Sequence, residues 1–347
     1  MTNLNIAINV TDLVQPFTLA FFSFALSMVL TPLYTTLAYK YEWWKKARTN
    51  AVTGEKATMY QKLHAEKHRR NIPTMAGIIF VISTLLITLT ANLSRAETWL
   101  PLAAMTGAGL IGLIDDFLNI HGFGGGIAGM KASLKSILIF VVASVGGWWF
   151  YAKLDVSSVH VPFWGSVHIG LFIIPLFILV VISCANAVNI SDGLDGLAGG
   201  LSVSAFSAYA LIAVIEGRFG IAAFCLTIVG ALLSYTWFNI FPARFFMGDV
   251  GSFALGTALG VVAMLTDTVI ILPIIGFVFV SEAGSSLLQI LSKRLRSGKK
   301  VFKIAPVHHH FEASGWPETK VTMRFWIIGQ VAAVVGLLLF LMGRTSP

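Results

Sequence analysis

Five aspartates stand at the edges of apolar segments, where an ionised side chain is costly unless a cation meets it. Asp115 and Asp116 lie in LIGLIDDFLN, Asp192 and Asp195 in NAVNISDGLDGLAGG, and Asp249 in FFMGDVGS. Each one alone could cap a helix, and Asp192 and Asp249 have cap-like contexts. Carboxylates that converge instead repel one another unless a divalent cation neutralises them, and hard oxygen ligands favour Mg²⁺. The five together therefore favour a metal site suited to phosphate chemistry.

The segments that position these carboxylates are typical of a multi-pass membrane protein. The 347 residues are 56% hydrophobic and 12% charged, with a mean hydropathy of +0.81, which argues against a soluble domain. We predict an all-α integral membrane protein, with 1–347 forming a single polytopic domain. The N-terminal segment has no basic residue before its apolar part, so we expect a true span and no cleaved signal peptide. The ten predicted spans, each near the ~20 residues that a helix needs to cross the bilayer, are 17–39, 74–92, 98–114, 132–152, 167–188, 196–215, 219–238, 250–266, 268–291 and 323–342.

The basic residues predict the orientation of these spans. Twenty of the 24 lysines and arginines would share one face, chiefly in 40–70 and 293–324. By the positive-inside rule that face is cytoplasmic and both termini are periplasmic, or outside. This topology accounts for the net charge of +8 without any nucleic-acid partner. The predicted cytoplasmic loops, which would carry the active site, are about 40–73, 115–131, 189–195, 239–249 and 292–322.

Three consecutive histidines follow the ninth predicted span, in IAPVHHHFEASGWPE. Side chains of neighbouring residues diverge, so His308, His309 and His310 are poor joint ligands of one metal and better donors to a diphosphate or a sugar. A solvated loop or an affinity tag is the alternative for this run. Cys184 and Cys225 both stand in apolar segments, so we expect buried thiols without a disulfide or a zinc site.

NAVNISDGLDGLAGG, FMGDVGS and above all IAPVHHHFEASGWPE resemble the phospho-N-acetylmuramoyl-pentapeptide transferase family, within the polyprenyl-phosphate N-acetylhexosamine-1-phosphate transferase superfamily. The resemblance covers nearly the whole chain. It implies transfer of phospho-MurNAc-pentapeptide from UDP-MurNAc-pentapeptide to undecaprenyl phosphate with Mg²⁺, giving lipid I and UMP. This is the first membrane step of peptidoglycan synthesis. A bacterial cytoplasmic (inner) membrane location and a homodimer are implied as well.

The resemblance also implies roles for individual residues. The metal-ligand aspartate of the family matches Asp249, with Asp115, Asp116 and Asp192 as further metal candidates. The implied catalytic residues are Asp115, Asp116, Asp192, Asp249, His308 and Lys131. The implied substrate-binding residues are Arg69, Asn189, Gly193, Leu194, Asp195, Asn239, Phe246, His309, His310 and Glu282, with the phenyl ring of Phe246 stacked on uracil.

Three departures separate the chain from the family pattern. The family's KxGTPTMGG is RRNIPTMAG here, with Arg69 in the place of the lysine. The family's DDxxK is DDFLN, so Asn119 replaces a cation near the aspartate pair, and the next loop, IHGFGGGIAGMK, is glycine-rich. A lost positive charge should weaken diphosphate binding unless Arg69, Arg70 or His121 compensates. The reaction class should not change, because the metal ligands remain.

Two other functions fit part of the sequence. A sister transferase that moves GlcNAc-1-phosphate onto the same lipid would keep the aspartates, but not the histidine loop. A secondary transporter would place charges near the bilayer midplane and show inverted repeats, whereas these acids lie at one edge and no repeat is visible. Within the transferase function, Asp115 either accepts a proton from the lipid phosphate for a direct displacement, or an aspartate attacks first and forms a covalent phosphosugar enzyme.

Overall fold

The computed structural model describes residues 9–44, 71–123 and 129–345. Ten long helices dominate it. They are α1 (Val10–Lys40), α2 (Gly77–Ala91), α3 (Trp99–His121), α4 (Ala132–Ala152), α5 (Ile173–Ser191), α6 (Leu197–Ile215), α7 (Phe219–Asn239), α8 (Gly248–Leu265), α9 (Phe277–Leu295) and α10 (Glu318–Thr345). Two short helices, Leu272–Ile275 and Val307–Glu312, precede α9 and α10. We call Val307–Glu312 the histidine helix.

Eight of the long helices are apolar and long enough to cross a membrane. The other two are α2, which has only 15 residues, and α9, whose composition is more polar. The chain is thus a multi-pass membrane protein in its described part, as the hydropathy pattern predicts.

Some boundaries differ from the predicted spans. α1 begins at Val10 and α10 at Glu318, because helix continues into polar residues that hydropathy does not count. The predicted span 268–291 breaks at Gly276, between the short helix Leu272–Ile275 and α9. The predicted span 167–188 begins in a strand, since Ser158–Val161 (β1) pairs antiparallel with Gly165–His168 (β2). Apart from this short hairpin between α4 and α5, the described part of the chain is helical, as predicted.

The most buried helix, α8, packs against α3 and α5 at the centre of the bundle. Two glycines allow these close approaches. A methyl group on Gly112 of α3 would lie 2.2 Å from the carbonyl oxygen of Asp249, and one on Gly256 of α8 would lie 2.4 Å from that of Cys184 in α5. Small residues at such positions let helix backbones approach closely in membranes. Around this centre, α1 packs on α7, α10 on α6, and α9 on α5.

The connections at one end of the bundle are tied together by polar contacts. Arg344 near the end of α10 pairs with Glu216 after α6, and the amide of His160 in β1 donates to Asp267 after α8 at 2.8 Å. Arg218 donates to the carbonyl oxygen of Leu265. All five aspartates of interest lie at the opposite end of the bundle, within helix ends or in the connection between α5 and α6. Both cysteines are free thiols; Cys225 is buried, as predicted, whereas Cys184 is only half-buried.

Candidate active site

Three of the five predicted aspartates lie together. Asp115 and Asp116 stand near the end of α3, and Asp249 stands in the first turn of α8. One carboxylate oxygen from each lies within 4.8 Å of the other two. Asp115 and Asp116 are buried, while the side chain of Asp249 is 17% exposed. The group therefore has one member that a substrate can reach without a change of fold.

The first residues of α8 lie against Asp116 and hold its carboxylate in place. Gly248 has φ of +73°, and a methyl group there would lie 2.4 Å from Oδ2 of Asp116 and 2.9 Å from the amide nitrogen of Met75. The same Oδ2 accepts a hydrogen bond from the amide of Val250 at 3.1 Å. Glycine thus serves both the backbone angle and the close approach. The N-terminus of α8, which favours negative charge, lies beside the carboxylates.

Lys135 in the first turn of α4 contacts two of the three carboxylates. Its Nζ donates to Oδ2 of Asp115 at 2.7 Å and to Oδ2 of Asp249 at 2.6 Å. The other oxygen of Asp115 accepts from the amide of Met130 at 2.7 Å. Lys131, the lysine implied by the resemblance, precedes α4 and is exposed, and its side chain has no ion pair among the described residues. The helical periodicity of α4 thus brings Lys135, one turn further, to the site.

Asn189 links the cluster to α5. Its Nδ2 donates to Oδ1 of Asp249 at 3.3 Å and to Oγ of Ser252 at 2.9 Å. Asp192, three residues later, directly follows α5 and is half-buried. It is not one of the three carboxylates of the cluster. The predicted metal role of Asp192 therefore has less geometric support than those of Asp115, Asp116 and Asp249.

The three histidines diverge, as expected for neighbouring residues. Nδ1 of His308 lies 2.8 Å from Oε2 of the buried Glu282 in α9. Nδ1 of His309 lies 2.6 Å from Oε2 of Glu312, and Nδ1 of His310 accepts from the amide of Lys303 at 3.1 Å. Each histidine thus has its own partner, and these contacts make the run an ordered part of the fold.

His308 also lies against the aspartate-rich loop between α5 and α6. A methyl group on Gly193 would lie 2.3 Å from its Nε2. Because Gly193 follows Asp192 directly, the histidine helix and the DGLDG segment form one surface. The resemblance places both in substrate binding, and the structure places them in contact.

Asp195 and Asn239 brace the loop that leads to Asp249. Oδ2 of Asp195 accepts from the amide of Ala243 at 3.0 Å, and its own amide donates to Glu318 at 2.7 Å. Asn239 accepts from the amide of Gly196 at 3.0 Å and donates to the carbonyl of Phe245 at 2.8 Å. Both side chains are buried. Glu318 is a part of this bracing that the sequence did not reveal.

Phe246 is half-buried and joined to the altered NIPTMAG segment. Its amide donates to the carbonyl of Pro73 at 2.7 Å, and its carbonyl accepts from the amide of Ala76 at 3.0 Å. Leu194 is buried. Arg69 and Arg70 lie outside the described residues. His121 is exposed and contacts the carbonyl of Phe117 in its own helix at 2.9 Å.

The donor set of the cluster suits a divalent cation. Three carboxylates at this separation repel one another, and the ammonium of Lys135 contacts only two of them. Carboxylate oxygens are the ligands that Mg²⁺ and Ca²⁺ prefer. Asp115, Asp116 and Asp249 could therefore hold such an ion, with Asn189 beside it.

Sequence similarity to known proteins identifies the family of this chain. The model of glycosyl transferase family 4 matches residues 98–267. A phospho-N-acetylmuramoyl-pentapeptide-transferase of Chloroflexus aurantiacus is 37% identical, with 96% of this chain and 92% of the relative covered. Proteins of the same name from Clostridium novyi and Caldanaerobacter subterraneus are 36% and 39% identical, over 91% and 79% of this chain and 94% and 85% of their own length. With such identity over most of both lengths, the chain belongs to the phospho-N-acetylmuramoyl-pentapeptide transferase family.

Proposed function

We propose that the protein transfers phospho-MurNAc-pentapeptide from UDP-MurNAc-pentapeptide to undecaprenyl phosphate, releasing UMP and forming lipid I. The names of its relatives support the muramoyl-pentapeptide group as the transferred unit. The observation that carries the proposal is the convergence of Asp115, Asp116 and Asp249 at one end of a bundle of apolar helices. A phosphate-bearing lipid and a soluble sugar nucleotide can both reach such a place.

We propose that the bound cation is Mg²⁺ and that Asp115, Asp116 and Asp249 would hold it. When bound, it would neutralise charge on the diphosphate and on the departing UMP. Asn189 orients Asp249 through its 3.3 Å hydrogen bond, and Met130 orients Asp115 through its backbone amide. These contacts support a set of carboxylates that is held ready before substrate binds.

The histidine helix and the DGLDG segment would bind the sugar nucleotide. Their contact at Gly193 and His308 supports a single binding surface. His308, oriented by Glu282, would donate from a ring nitrogen to a phosphate or sugar oxygen, with His309 and His310 beside it. The uracil would lie near Gly193, Leu194 and Phe246, on a loop that Asp195 and Asn239 hold in place. Arg69 would contribute charge from outside the described residues, and Lys131 from the start of α4.

The chemistry we propose is a direct displacement. The lipid phosphate attacks the sugar-linked phosphorus in line with the departing UMP, and Asp115 accepts the proton of the attacking phosphate. Both oxygens of Asp115 already accept hydrogen bonds, and the residue is 1% exposed. Burial hinders the in-line approach of such an oxygen to phosphorus, a geometric demand that proton transfer does not make, and this supports a single step over a covalent phosphosugar intermediate. Incubation with labelled sugar nucleotide in the absence of lipid should therefore leave no label on the protein; a trapped adduct would reverse this choice.

We further propose ten spans, a cytoplasmic active site and both termini outside, in the bacterial inner membrane, with 1–347 as one domain. The excess of basic residues in the loops near the cluster supports this orientation. The pair Arg344 and Glu216, at the end opposite the cluster, supports placing the C-terminus outside. We expect a homodimer, for which the exposed apolar helix faces leave room.

The deciding experiment measures UMP release by the purified protein with UDP-MurNAc-pentapeptide, undecaprenyl phosphate and Mg²⁺. Release should require the lipid and should vanish in EDTA and in Asp249→Asn, which keeps the side-chain size but removes a charge. Turnover of UDP-GlcNAc in place of the muramoyl substrate would assign the chain to the sister transferases. Failure to release UMP with either nucleotide would favour a transporter.

A further inference from the structure

The side chain of Lys135 extends from α4 and contacts residues of α3 and α8. Its Nζ is within 2.7 Å of Asp115 in α3 and 2.6 Å of Asp249 in α8. It also lies 5.4 Å from the ring centroid of Phe253, one turn after Asp249 in α8. The side chain of Lys135 is only 20% exposed. An ammonium that is held by two carboxylates and a ring face is more than a solvated surface charge.

The neighbouring position on α3 has no charge. Asn119 stands one helical turn after Asp115, where a side chain at spacing four can reach it. Its Nδ2 is buried and has no hydrogen-bond partner among the described residues. The resemblance implies a lysine at this position. Among the described residues, α4 supplies a cation beside Asp115 through Lys135.

We propose that Lys135 is a resident counter-cation of the cluster. Its ammonium holds Asp115 and Asp249 together in the absence of metal and competes with a divalent cation for their carboxylates. The inference rests on the metal site of the proposed function. Its physical basis is that an ammonium and a divalent cation lower the same repulsion and use the same oxygen atoms. Substitution of Lys135 should thus lower the stability of the metal-free protein and raise the affinity of the site for the metal ion.

The test compares thermal unfolding of the purified protein in EDTA and across a Mg²⁺ titration, without any substrate. Lys135→Met keeps an unbranched apolar side chain next to Phe253. Lys153→Met, an exposed position at the other end of α4, makes the same charge change as a matched control. In EDTA, Lys135→Met should unfold at a lower temperature than Lys153→Met. The half-saturation concentration for Mg²⁺, here called the Mg²⁺ midpoint and fitted from the rise of the unfolding temperature along the titration, should fall by about tenfold, since one competing charge at contact distance has been removed.

A second variant separates competition from simple loss of packing. Asn119→Lys in the Lys135→Met background returns an ammonium to the turn after Asp115, and should move the Mg²⁺ midpoint back toward the wild-type value. An unchanged or higher Mg²⁺ midpoint in Lys135→Met would overturn the proposal, as would an EDTA unfolding temperature equal to that of Lys153→Met. An unfolding temperature of the wild-type protein that does not change with Mg²⁺ would overturn the proposed competition. UMP release is a separate readout, so failure of the proposed transferase reaction is recognised independently.

Discussion

His308 and Glu282 join the histidine helix to α9 through a buried contact of 2.8 Å between Nδ1 and Oε2. Both side chains are shielded from solvent, at 1% and 0% exposure. A carboxylate partner fixes which ring nitrogen carries the proton. With Nδ1 of His308 on Glu282, its Nε2 points toward Gly193. Glu282, which the resemblance places in substrate binding, is therefore a positioning residue in our interpretation.

Glu282→Gln should lower the rate of UMP release by about tenfold or more, a typical cost for loss of a partner that orients a functional histidine. The amide keeps the size of the side chain but no longer favours one orientation and tautomer of His308. The rate should fall more than the unfolding temperature does. Glu97→Gln, which removes a carboxylate at the opposite end of the bundle, is the control. Wild-type turnover in Glu282→Gln would show that His308 needs no such orientation.

Gly248→Ala should abolish most activity by displacing Asp116. A left-handed backbone costs a non-glycine residue about 1–2 kcal/mol, and the added methyl group would lie 2.4 Å from Oδ2 of Asp116. Gly217→Ala is a matched control, because Gly217 has φ of +71° and no atom within 4 Å of the added methyl group. Both variants should unfold at a lower temperature, but only Gly248→Ala should lose UMP release. Equal activity in the two would contradict the role given to Gly248.

The sequence predicted the carboxylate cluster better than the residues around it. Hydropathy places the ends of α3 and α8 at one face of the bundle, and that is enough to bring Asp115, Asp116 and Asp249 near each other. The choice between Lys131 and Lys135 depends on where α4 begins after a glycine-rich loop, and hydropathy carries no information on that register. Glu318 was missed for a similar reason, since the polar start of α10 lies outside the apolar segment.

The distinction between binding and bracing also could not be predicted. Asp195 and Asn239 match the family pattern for a nucleotide pocket, yet their side chains hydrogen-bond to backbone groups, chiefly across the two loops that follow α5 and α7. A motif records that a residue type is required at a position. Which atom the side chain of that residue contacts depends on packing between segments that are far apart in the chain.

Glu216 should make stability depend on pH near neutrality. Burial raises its pKa from 4.5 to about 7, although Arg344 and Arg218 oppose this shift. Folding therefore favours the protonated carboxyl. The contribution is fully present below pH 4.5 and is lost as the pH rises through 7. Burial raises the pKa of the nearby Asp267 as well, with the same sign.

The unfolding temperature of the wild-type protein should thus be higher at pH 5 than at pH 8, by an amount that Glu216→Gln reduces. The rise of the pKa of Glu216 from 4.5 to about 7 corresponds to about 3 kcal/mol at most. Thermal unfolding at both pH values, in wild type and in Glu216→Gln, measures the effect. A variant with the full wild-type pH dependence would show that Arg344 keeps Glu216 ionised in the folded protein.

Substitutions at Asp195 should separate its bracing from any contact with the nucleotide. Asp195→Asn can still accept the hydrogen bond from the amide of Ala243, whereas Asp195→Ala leaves that buried donor without its partner, at a cost of about 1–3 kcal/mol. If bracing is the main role, Asp195→Ala should unfold at a clearly lower temperature and release UMP slowly, and Asp195→Asn should retain most of both properties. UMP binding, measured as stabilisation against heat, should then follow the order wild type, Asn, Ala. Loss of UMP binding in Asp195→Asn at wild-type stability would instead place this carboxylate against the base, because an amide of the same size changes the hydrogen-bonding pattern of the side chain and little else.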